Sequence, residues 1–257
     1  MRLLVSRSRA PRCASVRECP PTERAAHDRA ELLDAAQRQR DDASTAPVPR
    51  GETTNYELAY RIGFHPWEDA EAHSPFLEKF SELLDEEESG REPPYGAALD
   101  LGTGSGIWAI QLAERGWQVT GIDLVEKALR RAHDRVKAAG VGVQLVAGDV
   151  TKLSSAGIGS GFRLLLDTGT FHGLKDHQRA AMGREVDAVA ATDATLLMLV
   201  WPRRRRPLIQ GADCSQIEEA FSGWTVTDVG PSHFQAPKPI ELLLRPDEHW
   251  YRLRRSG

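Results

Sequence analysis

The chain of 257 residues has little cysteine: only Cys13, Cys19 and Cys214. Three thiols cannot all pair within one chain, and no C-x-x-C pair or Cys/His cluster has metal-ligand spacing. The sequence therefore predicts no structural metal and no disulfide framework. This cysteine usage also favours a reducing, cytoplasmic compartment.

A strong charge of one sign is also lacking, since the formal net charge is -4 and the pI is about 6.1. Such a balance creates no field that would gather nucleic acid or an anionic membrane surface. The longest apolar run, Thr195 to Trp201, is far shorter than the roughly 18 residues of a membrane span. We therefore expect a soluble protein that acts on a small-molecule acceptor, with no nucleic-acid or membrane partner, as a monomer or homodimer.

The most informative stretch runs from position 97 to position 123 and reads AALDLGTGSGIWAIQLAERGWQVTGID. Its short apolar start, Ala97–Leu101, predicts a buried strand that stops at a glycine-rich turn. Apolar residues at helical spacing then predict a helix over Ile107–Arg115, which Gly116 ends. A second strand follows over 117–122, with Asp123 at its carboxyl end. This order is half of a mononucleotide-binding unit.

Three alternating glycines, Gly102, Gly104 and Gly106, form the turn, and Asp100 stands just before it. Glycine lets the backbone take positive φ and lets a ligand approach amides that a Cβ would shield. The alternative is that these glycines only close the turn between strand and helix. Asp100 and Asp123 favour the ligand interpretation, because each stands where a bound nucleotide needs an acid.

The whole pattern, D-x-G-x-G-x-G with an acid about twenty residues later, resembles the S-adenosylmethionine (SAM) site of the class I methyltransferases. The resemblance implies that the turn, with Thr103, lies against the methionine part of SAM. It also implies that Asp123 binds the ribose hydroxyls and that Leu124 adds a cofactor contact. A dinucleotide fingerprint would need a glycine at Ile107, which argues against an NAD(P)-dependent oxidoreductase. A SAM-binding protein without transferase activity is the remaining alternative.

A third strand is predicted over 144–147, and Gly148, Asp149 and Val150 follow at its carboxyl end. The methyltransferase resemblance assigns this position to adenine: Asp149 would accept a hydrogen bond from the amino group, and Val150 would flank the ring. The glycine would allow close approach of the ligand. On physical grounds alone, an acid at a strand end can equally cap the next helix.

A fourth strand, Phe162 to Leu166, leads into the loop DTGTFHGL at 167–174. In a doubly wound sheet this loop borders both cofactor and acceptor. Its pattern D-x-G-x-F-H-x-L resembles small-molecule methyltransferases of the thiol, thiopurine and natural-product type. Nucleic-acid amino-methyltransferases instead carry Asn or Asp, then Pro-Pro and an aromatic residue, and that motif is absent.

Three side chains of this loop have two possible roles each. Asp167, with Thr168 beside it, could contact the methionine end of SAM, or Asp167 could cap the next helix. Phe171 could line the acceptor pocket or belong to the core. His172 could be a general base for a hydroxyl or thiol acceptor, or a structural histidine.

The part before the first strand divides into two segments. Residues 1–51 are predicted to be a disordered or loosely docked extension, and residues 52–94 a helical lead-in to the SAM-binding domain at 95–257. Within the lead-in, Trp67 is the candidate lid residue over SAM, and Phe64 is a candidate acceptor contact. Both could instead pack a leading helix on the sheet. The run Glu86 to Glu88 is predicted to be a solvated helix end.

The rest of the chain predicts a helix at 178–190, a fifth strand at 195–201 and a short helix at 215–221. Final strands are predicted at 224–229 and 250–253, with 240–244 also extended. The basic run Arg203 to Arg206 is predicted to be a solvated loop or a contact for an acidic acceptor. The predicted fold is α/β: a doubly wound, mostly parallel seven-stranded sheet with its last strand antiparallel, helices on both faces and a helical N-terminal extension.

Overall fold

A computed structural model of the protein describes residues 74–202, 211–234 and 247–256. Several predictions lie outside these residues. They are the N-terminal extension and its boundary at 51, the roles of Phe64 and Trp67, the basic run Arg203 to Arg206 and the extended segment 240–244.

The described residues form one seven-stranded sheet with the order β3-β2-β1-β4-β5-β7-β6. Strands β1 to β5 are parallel, and β7 runs antiparallel to both of its neighbours. The predicted mostly parallel sheet with an antiparallel last strand is therefore confirmed. The strands are β1 (Ala97–Leu101), β2 (Gln118–Asp123), β3 (Val143–Ala147), β4 (Phe162–Asp167), β5 (Ala190–Val200), β6 (Trp224–Pro231) and β7 (His249–Arg255).

Five α-helices accompany this sheet in the described part of the chain. They are α1 (Ser74–Glu88), α2 (Ile107–Arg115), α3 (Glu126–Ala139), α4 (Asp176–Val189) and α5 (Cys214–Ala220). Two short 3-10 turns, Val150–Ser155 and Phe171–Gly173, follow β3 and β4. Helix α2 has its predicted bounds, because left-handed glycines flank it: Gly106 has φ 83° and Gly116 has φ 107°.

The sheet has a hydrophobic core on each face. Successive strand residues point to opposite faces, so Leu164 and Leu166 pack with α1 and α2, whereas Leu165 packs with α4 and α5. Phe76 and Phe80 of α1 are almost completely buried in the first core. Helices therefore cover both faces, and only the edges of the sheet are left for polar chemistry.

Strand β5 begins five residues earlier than its apolar run predicts. Residues 190–193 extend it at the amino end, and this part is partly exposed. Asp193 there pairs with Arg163 across 2.7 Å, and the register with β4 shifts next to that arginine. A polar, bulged strand end has no continuous apolar signal, which is why the sequence pattern missed it.

The prediction of a solvated face at Glu86 to Glu88 is wrong for Glu87 and Glu88, whereas the Glu86 side chain is 56% exposed. Glu87 and Glu88 are buried at the end of α1. The Glu88 carboxylate accepts hydrogen bonds from Arg115 Nε at 2.8 Å and from Trp117 Nε1 at 2.9 Å. Arginines supplied by α2 and β7 neutralise these acids, and one acidic run alone does not reveal that pairing.

Residues of β5 and β7 bond the carboxylate of Glu87. Glu87 accepts from the Thr195 hydroxyl at 2.7 Å and from Arg254 Nη2 at 2.9 Å. Arg252 lies within 3.1 Å of Glu87 and also pairs with Glu86. We call this group the amino-edge cluster, because it lies toward the amino ends of the parallel strands; its members are Glu86, Glu87, Glu88, Arg115, Arg252 and Arg254.

No helix among the described residues is long and apolar enough to cross a membrane. Across the same residues, no group of three His, Cys, Asp or Glu side chains could hold a metal ion. The reducing compartment and the cytoplasmic location stay predictions.

Candidate functional site at the carboxyl edge of the sheet

The glycine turn after β1 is tied to the end of β2. The amides of Gly102 and Thr103 both donate to the Ile122 carbonyl, at 2.8 and 2.9 Å, and the Gly104 amide donates to Asp123 Oδ2 at 2.8 Å. Gly102, Gly104 and Gly106 all have positive φ. The turn therefore has a fixed shape in which side chains would be strained.

Asp100 lies beneath this turn and is completely buried. Its Oδ2 accepts a 2.6 Å hydrogen bond from the Thr103 hydroxyl, whereas its buried Oδ1 has no partner. Burial, together with repulsion from Asp123 and Asp167, raises the pKa of Asp100 to about 7, although hydrogen bonding with Thr103 and with the Ala109 backbone opposes the rise. A buried carboxylate oxygen without a donor is costly, so this atom fits a ligand that brings a donor or a positive charge.

Asp123 stands at the end of β2 with one hydrogen bond on each carboxylate oxygen. Oδ1 accepts from the Val125 amide at 2.7 Å, and Oδ2 accepts from Gly104. Burial raises the pKa of Asp123, while these amide bonds lower it. Each oxygen keeps a second lone pair that a hydroxyl could use. Leu124 beside it is a large hydrophobic residue whose side chain is 54% exposed.

Asp149, which follows β3, caps the 3-10 turn Val150–Ser155. Its Oδ1 accepts from the Thr151 amide at 2.8 Å and from the Thr151 hydroxyl at 2.7 Å. Val150 is buried. A Cβ on Gly148 would lie 2.8 Å from Ile122 Cδ1, so Gly148 has a packing reason as well. The predicted contacts of these residues with adenine stay a prediction.

Asp167, at the end of β4, likewise has the capping role. Its buried carboxylate accepts from the amides of Gly169, Thr170 and Phe171 at 2.7 to 2.9 Å, and so holds the following 3-10 turn. Burial raises its pKa to about 6 despite these three bonds. Thr168 beside it is partly exposed. Contacts of Asp167 and Thr168 with a cofactor stay predictions.

Phe171 belongs to the hydrophobic core, which was the alternative to lining an acceptor pocket. The side chain is completely buried, with its ring centroid 5.4 Å from that of Phe221 and 5.3 Å from the Arg179 guanidinium carbon. The predicted contact of Phe171 with an acceptor stays a prediction.

His172 is also buried, and it connects two strand ends. Its Nδ1 accepts from the Trp201 amide at 3.4 Å, just beyond β5. Burial lowers the pKa of His172 to about 4, and Arg179 lowers it further. A neutral imidazole with such a pKa is a weak base at neutral pH, so the geometry favours its structural role.

Thr170 is a functional residue that the sequence pattern missed. Its hydroxyl donates to the Leu101 carbonyl at 3.0 Å, which joins the loop after β4 to the end of β1. A Cβ on Gly102 would lie 1.9 Å from this hydroxyl oxygen. Gly102 is therefore required for packing against a second loop, not only for an approaching ligand. The sequence feature that could have indicated this role of Thr170 is the second threonine of the T-G-T sequence.

Arg179 of α4 is another residue that the pattern did not single out. It is only 3% exposed, and its guanidinium donates to the carbonyls of Phe171, His172 and Gly211, at 3.2, 3.1 and 2.6 Å. It thus holds the loop after β4. The sequence carries no signal for this role, because an arginine on an amphipathic helix is ordinarily solvent-facing.

The structure brings most predicted site residues to one edge. Parallel strands β3, β2, β1 and β4 are neighbours, so their carboxyl ends present Asp149, Asp123, Asp100 and Asp167 side by side. Ile107, where a dinucleotide fingerprint needs glycine, is buried in the core instead. The arrangement can hold an elongated nucleotide-like ligand along this edge.

Comparison with known proteins agrees with this geometry. Residues 98–193 match a family described as a methyltransferase domain. The resemblance to the class I methyltransferases is therefore confirmed, and the match covers β1 to the start of β5, the part that carries the site. Over these residues the chain is similar to methyltransferase domains, and its sheet has the doubly wound order of nucleotide-binding folds.

Among curated proteins, the chain is similar to the 2-heptyl-1-hydroxyquinolin-4(1H)-one methyltransferase of Mycobacteroides abscessus. The two are 30% identical over 148 residues, which is 55% of this chain and 64% of that protein. The chain thus matches slightly less than two thirds of the length of this relative.

Solved structures show the same fold. The 1,6-didemethyltoxoflavin-N1-methyltransferase of Burkholderia thailandensis, with bound S-adenosylhomocysteine, has a TM-score of 0.60 and 18% identity over 93% of each chain. The N-methyltransferase NodS of Bradyrhizobium japonicum WM9, also with S-adenosylhomocysteine, has a TM-score of 0.57 and 21% identity over 71% of this chain and 89% of its own. At these identities the likeness is one of fold.

Proposed function

We propose that this protein is a SAM-dependent methyltransferase that acts at oxygen, sulfur or nitrogen of a small molecule. The observation that carries the proposal is the buried Asp100 carboxylate, which has one oxygen without a donor beside the glycine turn. The methyltransferase-domain match over the same residues supports it. A dinucleotide alternative has no comparable support, because Ile107 is buried where a glycine would be needed.

The residues of the edge fit SAM by their chemistry. The ammonium group of SAM is a cationic donor, which suits Asp100 Oδ1. The ribose diol suits the remaining lone pairs of Asp123, and the exposed Leu124 offers an apolar surface to adenine. When bound, SAM supplies an electrophilic methyl group on a sulfonium with a neutral leaving group.

The protein must therefore position the acceptor against the methyl group of SAM. An in-line displacement needs the acceptor atom close to the methyl carbon and collinear with the leaving sulfur, and such alignment is worth on the order of 7–11 kcal/mol in favourable cases. A general base is needed only for acceptors that must lose a proton. The low pKa of the buried His172 argues that it orients the loop instead.

Binding measurements test the cofactor half of the proposal. Titration calorimetry with SAM, S-adenosylhomocysteine and NAD should give binding for the first two and none for NAD. A folded protein that binds neither SAM nor S-adenosylhomocysteine would overturn the proposal. The cytoplasmic location and the monomeric or dimeric state belong to the same proposal, and size-exclusion chromatography with light scattering tests the latter.

Turnover tests the transferase half. Incubation with isotope-labelled SAM and a panel of phenols, thiols, carboxylates and amines, followed by mass spectrometry, should show label in at least one small molecule. SAM binding without any transfer would instead favour the non-catalytic alternative. With an accepted phenol or thiol, His172→Ala should not remove a pH dependence between pH 6 and 8 if the histidine is not the base.

A further inference from the structure

One buried acid, Glu248, has no role in the function proposed above. Glu248 precedes β7 by one residue and is only 4% exposed. It belongs to none of the motifs that the sequence singled out. Its position relative to the sheet indicates what it does.

Strand pairing places Glu248 beyond the carboxyl end of β5. The next residue, His249, pairs with Val200, the last residue of β5, and with Pro231, the last residue of β6. The Glu248 carbonyl accepts from the Ser232 amide at 3.0 Å, so its backbone is fixed. Glu248 therefore lies at the same edge of the sheet as the loop after β4.

Alternation along β7 indicates the face on which Glu248 lies. Trp250, two residues later, packs against Phe76 and Phe80 of α1 with ring centroids 5.8 and 5.7 Å apart. Residues two apart in a strand share a face, so Glu248 continues this side beyond the aromatic cluster. Helix α2, which follows the glycine turn, packs on the same face. The carboxylate is thus on the side of the sheet where the glycine turn ends.

The Glu248 carboxylate lacks a cation partner among the described residues. The arginines of β7 lie toward its other end, where Arg252 and Arg254 pair with Glu87. Near Glu248 the described charged neighbour is Asp247, which repels it. Burial raises the pKa of Glu248 to about 7, with this repulsion adding to the rise. A hydrogen bond from its own backbone amide opposes the rise. A buried carboxylate without a cation partner among the described residues still costs free energy, which a bound donor would offset.

We propose that Glu248 binds the methyl acceptor and selects acceptors that present an N–H or O–H group over anionic carboxylates. The inference rests on the proposed methyltransferase function and narrows its substrate class. A carboxylate accepts hydrogen bonds from amines, amides and hydroxyls, and it repels another carboxylate. Glu248 acts on binding and orientation of the acceptor, while the methyl group still comes from SAM.

The test compares wild-type protein with Glu248→Gln, which keeps the shape of the side chain and removes its charge. Initial methylation rates with labelled SAM are measured for aniline, phenol, thiophenol, benzoate and 2-heptyl-1-hydroxyquinolin-4(1H)-one. At least one N–H or O–H probe should react faster than benzoate. For that probe, kcat/KM of the variant should fall by about tenfold or more, mainly through KM.

Two further variants control this comparison. Asp228→Asn removes an exposed charge of β6 and should leave kcat/KM within about twofold, because surface charges interact weakly. Glu248→Asp keeps the charge but withdraws it by one methylene, and should lie between wild type and Glu248→Gln. Urea unfolding verifies that each variant is folded.

A readout without turnover completes the test. The same probes are titrated into protein saturated with S-adenosylhomocysteine, and the N–H or O–H probes should bind wild type more tightly than Glu248→Gln. Preference for benzoate, a wild-type rate in Glu248→Gln, or no binding of any N–H or O–H probe would overturn the inference. Failure of the proposed function itself is distinguishable, because it appears as absent SAM binding in wild type.

Discussion

The two ends of the parallel strands treat buried acids in opposite ways. At the amino end, Glu87 and Glu88 are buried against arginines: Glu88 bonds Arg115 at 2.8 Å and Glu87 bonds Arg254 at 2.9 Å. At the carboxyl end, Asp100 and Asp167 are buried with no arginine or lysine bonded to either carboxylate among the described residues, and only amides and one hydroxyl bond them. The acids at the amino end are paired with arginines, whereas the acids at the carboxyl end have no cation partner among the described residues.

The difference follows from what each end must do. A paired buried acid stabilises the fold only while its partner is present, and it has little left to offer a ligand. A buried acid held only by amides or a hydroxyl stays poorly neutralised, as the raised pKa values of Asp100 and Asp167 show. The acids of the amino edge therefore support the fold, whereas the unneutralised acids of the carboxyl edge are available for the proposed binding of SAM.

Breaking the amino-edge cluster should give the largest effect on stability. Glu88→Ala removes the partner of Arg115 and Trp117 and should lower the free energy of unfolding by about 3 kcal/mol, measured by urea denaturation. Asp85→Ala is the matched control, since Asp85 pairs with the same arginine but its side chain is 64% exposed. Its cost should stay below about 1 kcal/mol. Equal costs for both variants would contradict the structural role of Glu88.

The corresponding change at the carboxyl edge should affect binding instead. Asp100→Asn removes the charge that would hold the SAM ammonium and should weaken SAM binding by roughly tenfold to a hundredfold in calorimetry. Asp193→Asn, which removes one surface charge toward the amino edge, should leave SAM binding unchanged. A wild-type dissociation constant in Asp100→Asn would remove Asp100 from the cofactor site.

The pH dependence of stability should distinguish the two edges further. Asp100 ionises near pH 7 when folded but near its ordinary value of 3.8 when unfolded. Between these values the folded protein holds the extra proton, so its stability should fall as pH rises from about 4 to 7. The loss attributable to Asp100 is on the order of a few kcal/mol.

Urea unfolding of wild type and Asp100→Asn at pH 5 and pH 8, without ligand, measures that loss. His172, whose folded pKa is lowered, has the opposite effect below pH 6.5, but it is present in both proteins and cancels in the difference. Wild type should lose more stability between the two pH values than the variant. Parallel pH curves would show that Asp100 is not protonated in the ligand-free protein.

The smallest effect should come from the connection between the two loops. Thr170→Val removes the hydrogen bond to the Leu101 carbonyl and should cost about 1 kcal/mol of unfolding free energy. Thr192→Val, at an exposed position of β5, controls for the substitution itself and should have almost no effect. If both variants are equally stable, the loops are held by other contacts.

The sequence alone determined the elements whose signals are local. Ala97–Leu101, the glycine turn and Ile107–Arg115 have their predicted bounds, because apolar periodicity and left-handed glycines act over a few neighbouring residues. The mostly parallel sheet and the antiparallel last strand were also predictable. So was the gathering of Asp100 and Asp123 at one edge, since parallel strands end on the same side.

The tertiary structure alone decided which side chains are buried and which partners they contact. Phe171 is in the core and His172 is buried, because their partners Phe221 and Trp201 come from elements farther along the chain. Glu87 likewise bonds Arg254, 167 positions away. Burial and charge pairing depend on contacts between distant segments, and local pattern carries no record of them. The glycine turn could therefore be found from the sequence, but which acids remain available to a ligand required the fold.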